Sequence, residues 1–151
     1  MLNGNPLPWL LEDDPDNPSI KYFTLRDLLD KPEDASEVRR ARKAIMACGP
    51  VPQILAAQRP EGNWIPQGGR YQSTPAQIIF LAELGVDPRD KRVRLGCQYL
   101  LSHAIAANHA LIYFSPPPLP RKAVHCDNGL LVYALIRLGF SDDQRVRSAL
   151  E

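Results

Sequence analysis

His125, Cys126 and Asp127 stand side by side, and each is an ordinary zinc ligand. Structural zinc sites draw their ligands from separated positions, and three consecutive side chains diverge too far to share one ion. His103 and His109, the remaining histidines, fall in a stretch with no clear helical or strand period. The expectation is therefore no metal and no cofactor. Cys126 also invites a nucleophile reading, because a helix N-terminus lowers a thiol pKa and His125 is adjacent. A nucleophile needs an oriented third group and an oxyanion site, and neither is recognisable, so the sequence identifies no catalytic residue. The plainer expectation is Asp127 as a helix N-cap and Cys126 as a small buried side chain.

A second chemistry belongs to the aromatic residues. Trp64, Tyr71, Phe80, Tyr113 and Tyr133 could line an apolar pocket whose ring faces stabilise a cation. With Cys126 and Asp127 they form the candidate pocket, weighed against ordinary core packing of aromatics at helical spacing. A third feature is basic. Arg39, Arg40, Arg42 and Lys43, then Arg92 and Arg94, then Arg145 and Arg147, recur along the chain, but Glu37, Asp90, Asp142 and Asp143 interleave with them. That pattern reads as a solvated face and predicts no nucleic-acid partner. The net charge of +1 agrees, since it creates no long-range field for an anionic polymer or membrane.

The elements that must position these residues are helices. The length of 151 residues predicts one domain spanning 1–151. Three cysteines without CxxC spacing suit free thiols in a reducing compartment, and the cytoplasm is the expected location. Met1–Leu11 lacks a basic start and carries Pro6 and Pro8, so it does not read as a signal peptide. No apolar run has the length of a transmembrane segment. The 15 prolines mostly punctuate short helices: Pro75 and Pro88 each sit one step inside an apolar helical pattern, where the missing N–H costs nothing.

The periodicity predicts a helical turn over 6–12, a turn-rich connector over 13–19, and helices over 20–29, 36–48 and 51–58. Further helices are expected from a cap at Thr74 to Leu84, from Asp87-Pro88 to about His103, and from Asp127 to Leu138. A last one follows a cap at Ser141. Gly49, Gly85 and Gly139 read as helix stops. Residues 104–113 remain open between helix and strand, and no convincing strand is found elsewhere.

An internal repeat organises these helices. Ile78–Val86 aligns with Val132–Phe140 at an offset of 54, and Arg92-Val93-Arg94 with Arg145-Val146-Arg147 at 53. A fainter copy sets Val38-Arg39 against Val93-Arg94 at 55. Each unit is an apolar helix, a short turn and an amphipathic helix, which predicts inner helices covered by outer ones.

Between the first two copies lies Gln58-Arg59-Pro60-Glu61-Gly62-Asn63-Trp64, with the form Q-x-x-x-G-x-W and Ile54 four residues before Gln58. This resembles the QW motif of the terpene cyclase/prenyltransferase (squalene-cyclase-like) repeat family. Gln58 can bond backbone groups at the start of a following helix, Gly62 permits a tight turn, and Trp64 makes an apolar cap with a usable N–H. The resemblance covers residues 20–151 as architecture and implies an all-α fold of helix-hairpin repeats forming a partial α/α-toroid around an apolar, isoprenoid-like ligand. Members of the squalene type carry an acidic D-x-D-D motif; the nearest string here, Asp13-Asp14-Pro15-Asp16, has another order and reads as a solvated cluster. Protein prenyltransferases hold zinc through spread Asp, Cys and His, a pattern absent here. A full toroid takes about twice this length, so the chain reads as a fragment or open ring, and self-association or a missing C-terminal remainder is expected. The other reading is a non-enzymatic helical scaffold.

Overall fold

The computed structural model describes residues 4–64, 70–106, 108–112 and 124–150. Among them are eight α-helices: α1 (Leu7–Leu10), α2 (Pro18–Phe23), α3 (Ser36–Ala47), α4 (Pro50–Ala56), α5 (Thr74–Glu83), α6 (Lys91–His103), α7 (His125–Arg137) and α8 (Gln144–Ser148). A π-type turn, Thr24–Leu28, continues α2, and a 3-10 turn, Arg70–Gln72, precedes α5. The all-α class holds. The described residues contain no strand, only an isolated antiparallel bridge between Ile105 and Leu111. After α6 the chain reverses: the Ile112 N–H donates to the Ala104 carbonyl at 2.8 Å and the Ala106 N–H to the Ala110 carbonyl at 2.9 Å. No described helix is long and apolar enough to cross a membrane.

The chain divides into two compact units. The first runs to Gln53 and includes Leu84–Asp87. Here α2 packs on α3, and Val38, Ala41 and Ile45 form the buried face of α3, as a 3–4 spacing requires. Gly49 ends that region at φ +66°, a conformation that disfavours any side chain. Glu33 closes the 30–35 loop by accepting from Arg26 at 3.0 Å and Arg42 at 2.9 Å, while Arg42 also donates to the Tyr22 hydroxyl and lies over its ring. Leu84–Asp87 joins this unit because Ser19 Oγ donates to the Leu84 carbonyl at 2.7 Å, and Gly85 sits against the Tyr22 ring.

The second unit comprises Ile54–Glu83 and the chain from Pro88 onward. The most apolar helix, α5, packs against both α6 and α7, and α8 packs against α7. Ile78, Leu81, Val93, Leu100, Leu135 and Val146 are fully buried in it. The helix starts differ from expectation. Asp90, not Asp87, caps α6, its carboxylate accepting from the Arg92 N–H at 2.8 Å and the Val93 N–H at 3.4 Å. Asp143, not Ser141, caps α8 and accepts from the Arg145 N–H at 2.9 Å. In both places a two-residue turn, 88–89 or 141–142, directly precedes the cap, and the carboxylate after it is the group that reaches the exposed N–H groups. The linker from the Gly85 turn to Asp90 is one residue longer than the one from Gly139 to Asp143, which explains the slip in repeat offset from 54 to 53.

Candidate functional site

The Gln58–Trp64 segment is a clamp on backbone groups. Gln58 follows the end of α4, and its side-chain amide donates to the Gly62 carbonyl and to the Arg92 carbonyl in the first turn of α6, both at 2.9 Å. Gly62 has φ +98°, and a Cβ there would lie 2.7 Å from the Leu95 carbonyl oxygen, so only glycine fits. Trp64 is 2% exposed. Its ring N–H donates to the Ile54 carbonyl at 2.7 Å, and its backbone N–H donates to Thr74 Oγ1 at 3.0 Å. Thr74, the first residue of α5, therefore anchors Trp64. The indole lies so close to α6 that a Cβ on Gly96 would be 2.9 Å from its ring. One loop thus ties the end of α4 to the starts of α5 and α6.

The aromatic candidates do not converge on Trp64. Tyr71 is 70% exposed and stacks on the half-exposed Phe80, with centroids 6.4 Å apart. Tyr113 lies outside the described residues. Tyr133 projects from α7, 43% exposed, beneath the Arg137 guanidinium. Cys126 is exposed rather than buried, and Asp127 sits in the first turn of α7 rather than at its cap, which is Val124 with no side-chain bond. The reason is that α7 begins two residues earlier than its apolar run implies. Cys126 Sγ lies 3.9 Å from Asp127 Oδ1. Among the described residues no group of three or more His, Cys, Asp or Glu is placed to hold a metal. The buried thiol, Cys97, is no nucleophile: burial pushes its pKa up to about 12, against the opposing charge of Arg94.

The first unit contains a concavity. A cleft of about 510 Å³ opens between the 11–18 connector, α2 and α3. Leu11, Pro18, Leu25, Ala41 and Ala44 supply its apolar wall together with Cys48, and Asp13, Asp14, Lys21, Glu37 and Arg40 bring charge to its lining. None of Trp64, Tyr71, Phe80 and Tyr133, the aromatic candidates among the described residues, borders it. It exists because α3 presents alanines at positions 41 and 44, too small to fill the space opposite α2. Lys21 Nζ holds Asp13 at 2.7 Å, and this hydrogen bond and charge keep the Asp13 carboxyl below the usual range. Asp14 is held low by hydrogen bonds from the Asn17 side chain and the Asp16 N–H. Both are carboxylates at neutral pH, with no proton to give. Ala41 and Ala44 at i, i+3 on one helix, beside a proline-rich connector, are the sequence signal for this space.

Compared with known proteins, the chain matches no family model and no curated protein.

Proposed function

We propose that this chain is a helical-repeat domain of terpene cyclase/prenyltransferase type that holds an apolar, isoprenoid-like small molecule and does not itself act as an acid catalyst. The observation that carries the reading is the cleft of the first unit. Its volume of about 510 Å³ suits a small organic ligand, and Leu11, Pro18, Leu25, Ala41 and Ala44 give it an apolar wall. An apolar body would lie along α2 and α3 with a polar head left at the charged border. Asp13 and Asp14 border the cleft but are held ionised, whereas protonating an alkene needs a carboxyl that keeps its proton, so neither is suited to that step. The repeat architecture draws support from the two Asp-capped helices at an offset of 53 and from the packing of α5 on α7.

Isothermal titration with farnesol tests the ligand reading. Wild type is expected to bind, and Ala44→Trp, which fills the cleft from its wall, is expected to lose at least tenfold in affinity. Absence of binding, or equal affinity in the variant, contradicts it. The scaffold reading, with self-association, is favoured by a different observation: α7 exposes Leu130, Tyr133 and Ile136 on one side.

A further inference from the structure

On α3, Glu37, Arg40, Ala41 and Ala44 recur at the 3–4 spacing of one helix face, and all four line the cleft of the first unit. At 100° per residue, Ala41 lies beside the buried Val38 and Ile45, whereas Arg40 lies at the opposite edge of that face and is exposed. The cleft therefore runs from a buried apolar floor at Leu25 and Ala41 to a guanidinium near solvent. Most of the other charges in the lining are already engaged. Asp13 accepts from Lys21 Nζ at 2.7 Å, and Glu37 pairs with Lys31 Nζ at 2.9 Å. Asp14 accepts from the Asn17 side-chain amide at 3.0 Å and from the Asp16 N–H at 2.9 Å. Arg40 is the exception. Its charge is felt at Asp13, but it makes no salt bridge and no side-chain hydrogen bond among the described residues. Its neighbours on α3 differ from it: Arg42 is committed to Glu33, and Arg39 does not line the cleft.

We infer that the ligand of this cleft is an apolar chain ending in a single carboxylate, and that Arg40 receives the head group. This rests on the ligand reading above and adds the head to it. A guanidinium presents its N–H donors in a fork that matches the two oxygens of a carboxylate. The charges around it limit what else the head can be. Asp13, Asp14 and Glu37 line the same cleft, and Lys21 and Arg40 balance only two of those three carboxylates. A phosphate ester, with close to two negative charges, would face that excess without a second uncommitted cation in the lining. A singly charged, flat head meets Arg40 and adds the least repulsion. A neutral alcohol leaves the guanidinium to water. A cationic head would meet Arg40 as a like charge and would find each carboxylate already bonded.

Isothermal titration with farnesol, farnesoic acid and farnesyl monophosphate, which share one isoprenoid chain, separates the head from the body. At neutral pH and below the aggregation concentration of each ligand, the full chain should bind the acid about fivefold more tightly than the alcohol, the size expected for a pair with an exposed guanidinium. The phosphate should bind more weakly than the acid. In Arg40→Gln the affinities for acid and alcohol should converge. Arg39→Gln, which removes the adjacent charge outside the cleft, should keep the preference of the unaltered chain. Equal affinity for acid and alcohol in the unaltered chain, a preference that survives Arg40→Gln, an equal loss in Arg39→Gln, or a phosphate bound more tightly than the acid would each overturn the carboxylate head while leaving the cleft an apolar site. Binding of none of the three would overturn the ligand reading itself, and the head group with it.

Discussion

The two compact units use small and large side chains in opposite ways. In the second, the Trp64 indole is pressed against a helix backbone that had to give up its side chain at Gly96, and Ile78 crowds the same position. In the first, Ala41 and Ala44 stand where larger residues would fill the space beside α2, and a cleft is left. The difference teaches that the fit between facing positions decides whether space is filled: Trp64 meets a glycine on α6, whereas Ala41 and Ala44 meet nothing large enough to replace them. Both units use glycine at positive φ to turn the chain, so turn chemistry does not separate them; packing does.

The comparison breaks most visibly at Trp64. Trp64→Ala should cost about 3–5 kcal/mol in urea unfolding, a large part of a normal domain's stability, because the site has no room to collapse against α6. A loss below about 1 kcal/mol would mean the second unit is not packed around this ring. Gly62→Ala should cost about 1–3 kcal/mol by the same measurement, since φ +98° and the Leu95 carbonyl at 2.7 Å both exclude a methyl group. The helix caps give smaller effects. Asp90→Ala and Asp143→Ala should each cost about 1 kcal/mol.

Those caps also carry a pH signature. Burial works to raise the Asp90 pKa, but hydrogen bonds from Arg92 and its charge outweigh it and leave the carboxyl low. The Arg145 hydrogen bonds and charge hold Asp143 low despite partial burial. A depressed folded-state pKa contributes stability that is present above the unfolded value, about 3.9, and fades as pH falls through the folded value. The stability gap between wild type and the Asp90→Ala/Asp143→Ala chain should therefore close on acidification below about pH 4 in urea titrations. A gap that widens in acid contradicts the assignment. The smallest effect has the opposite sign. Ala35 is the N-cap of α3 in an extended conformation and offers no side-chain bond, so Ala35→Asp should stabilise the first unit by about 0.5–1 kcal/mol, read as a higher melting temperature.

The helices and their glycine stops were legible because apolar period and positive φ are local properties. The Gln58–Trp64 clamp was legible for the same reason, since its bonds close within a loop and onto the next helices. Cap positions were not: Asp90 and Asp143 compete with Asp87 and Ser141 for the same role, and a short intervening turn decides which carboxylate meets the N–H groups. The exposure of Cys126 is not legible in the sequence because α7 is apolar on more than one side, and sequence alone does not say which side finds a neighbour. The cleft was hidden for a related reason. Ala41 and Ala44 look like ordinary helix formers until α2 and the 11–18 connector are set opposite them.

The central claim is that the hollow first unit, and not the aromatic residues of the second, receives an apolar ligand. Methyl and amide NMR of the chain titrated with farnesol tests it most directly. The account predicts saturable shifts at Leu25, Ala41 and Ala44, with Ile78 and Tyr133 unmoved at the same ligand concentration. Shifts confined to Phe80, Tyr133 and their neighbours, or no saturable shift anywhere, would contradict it.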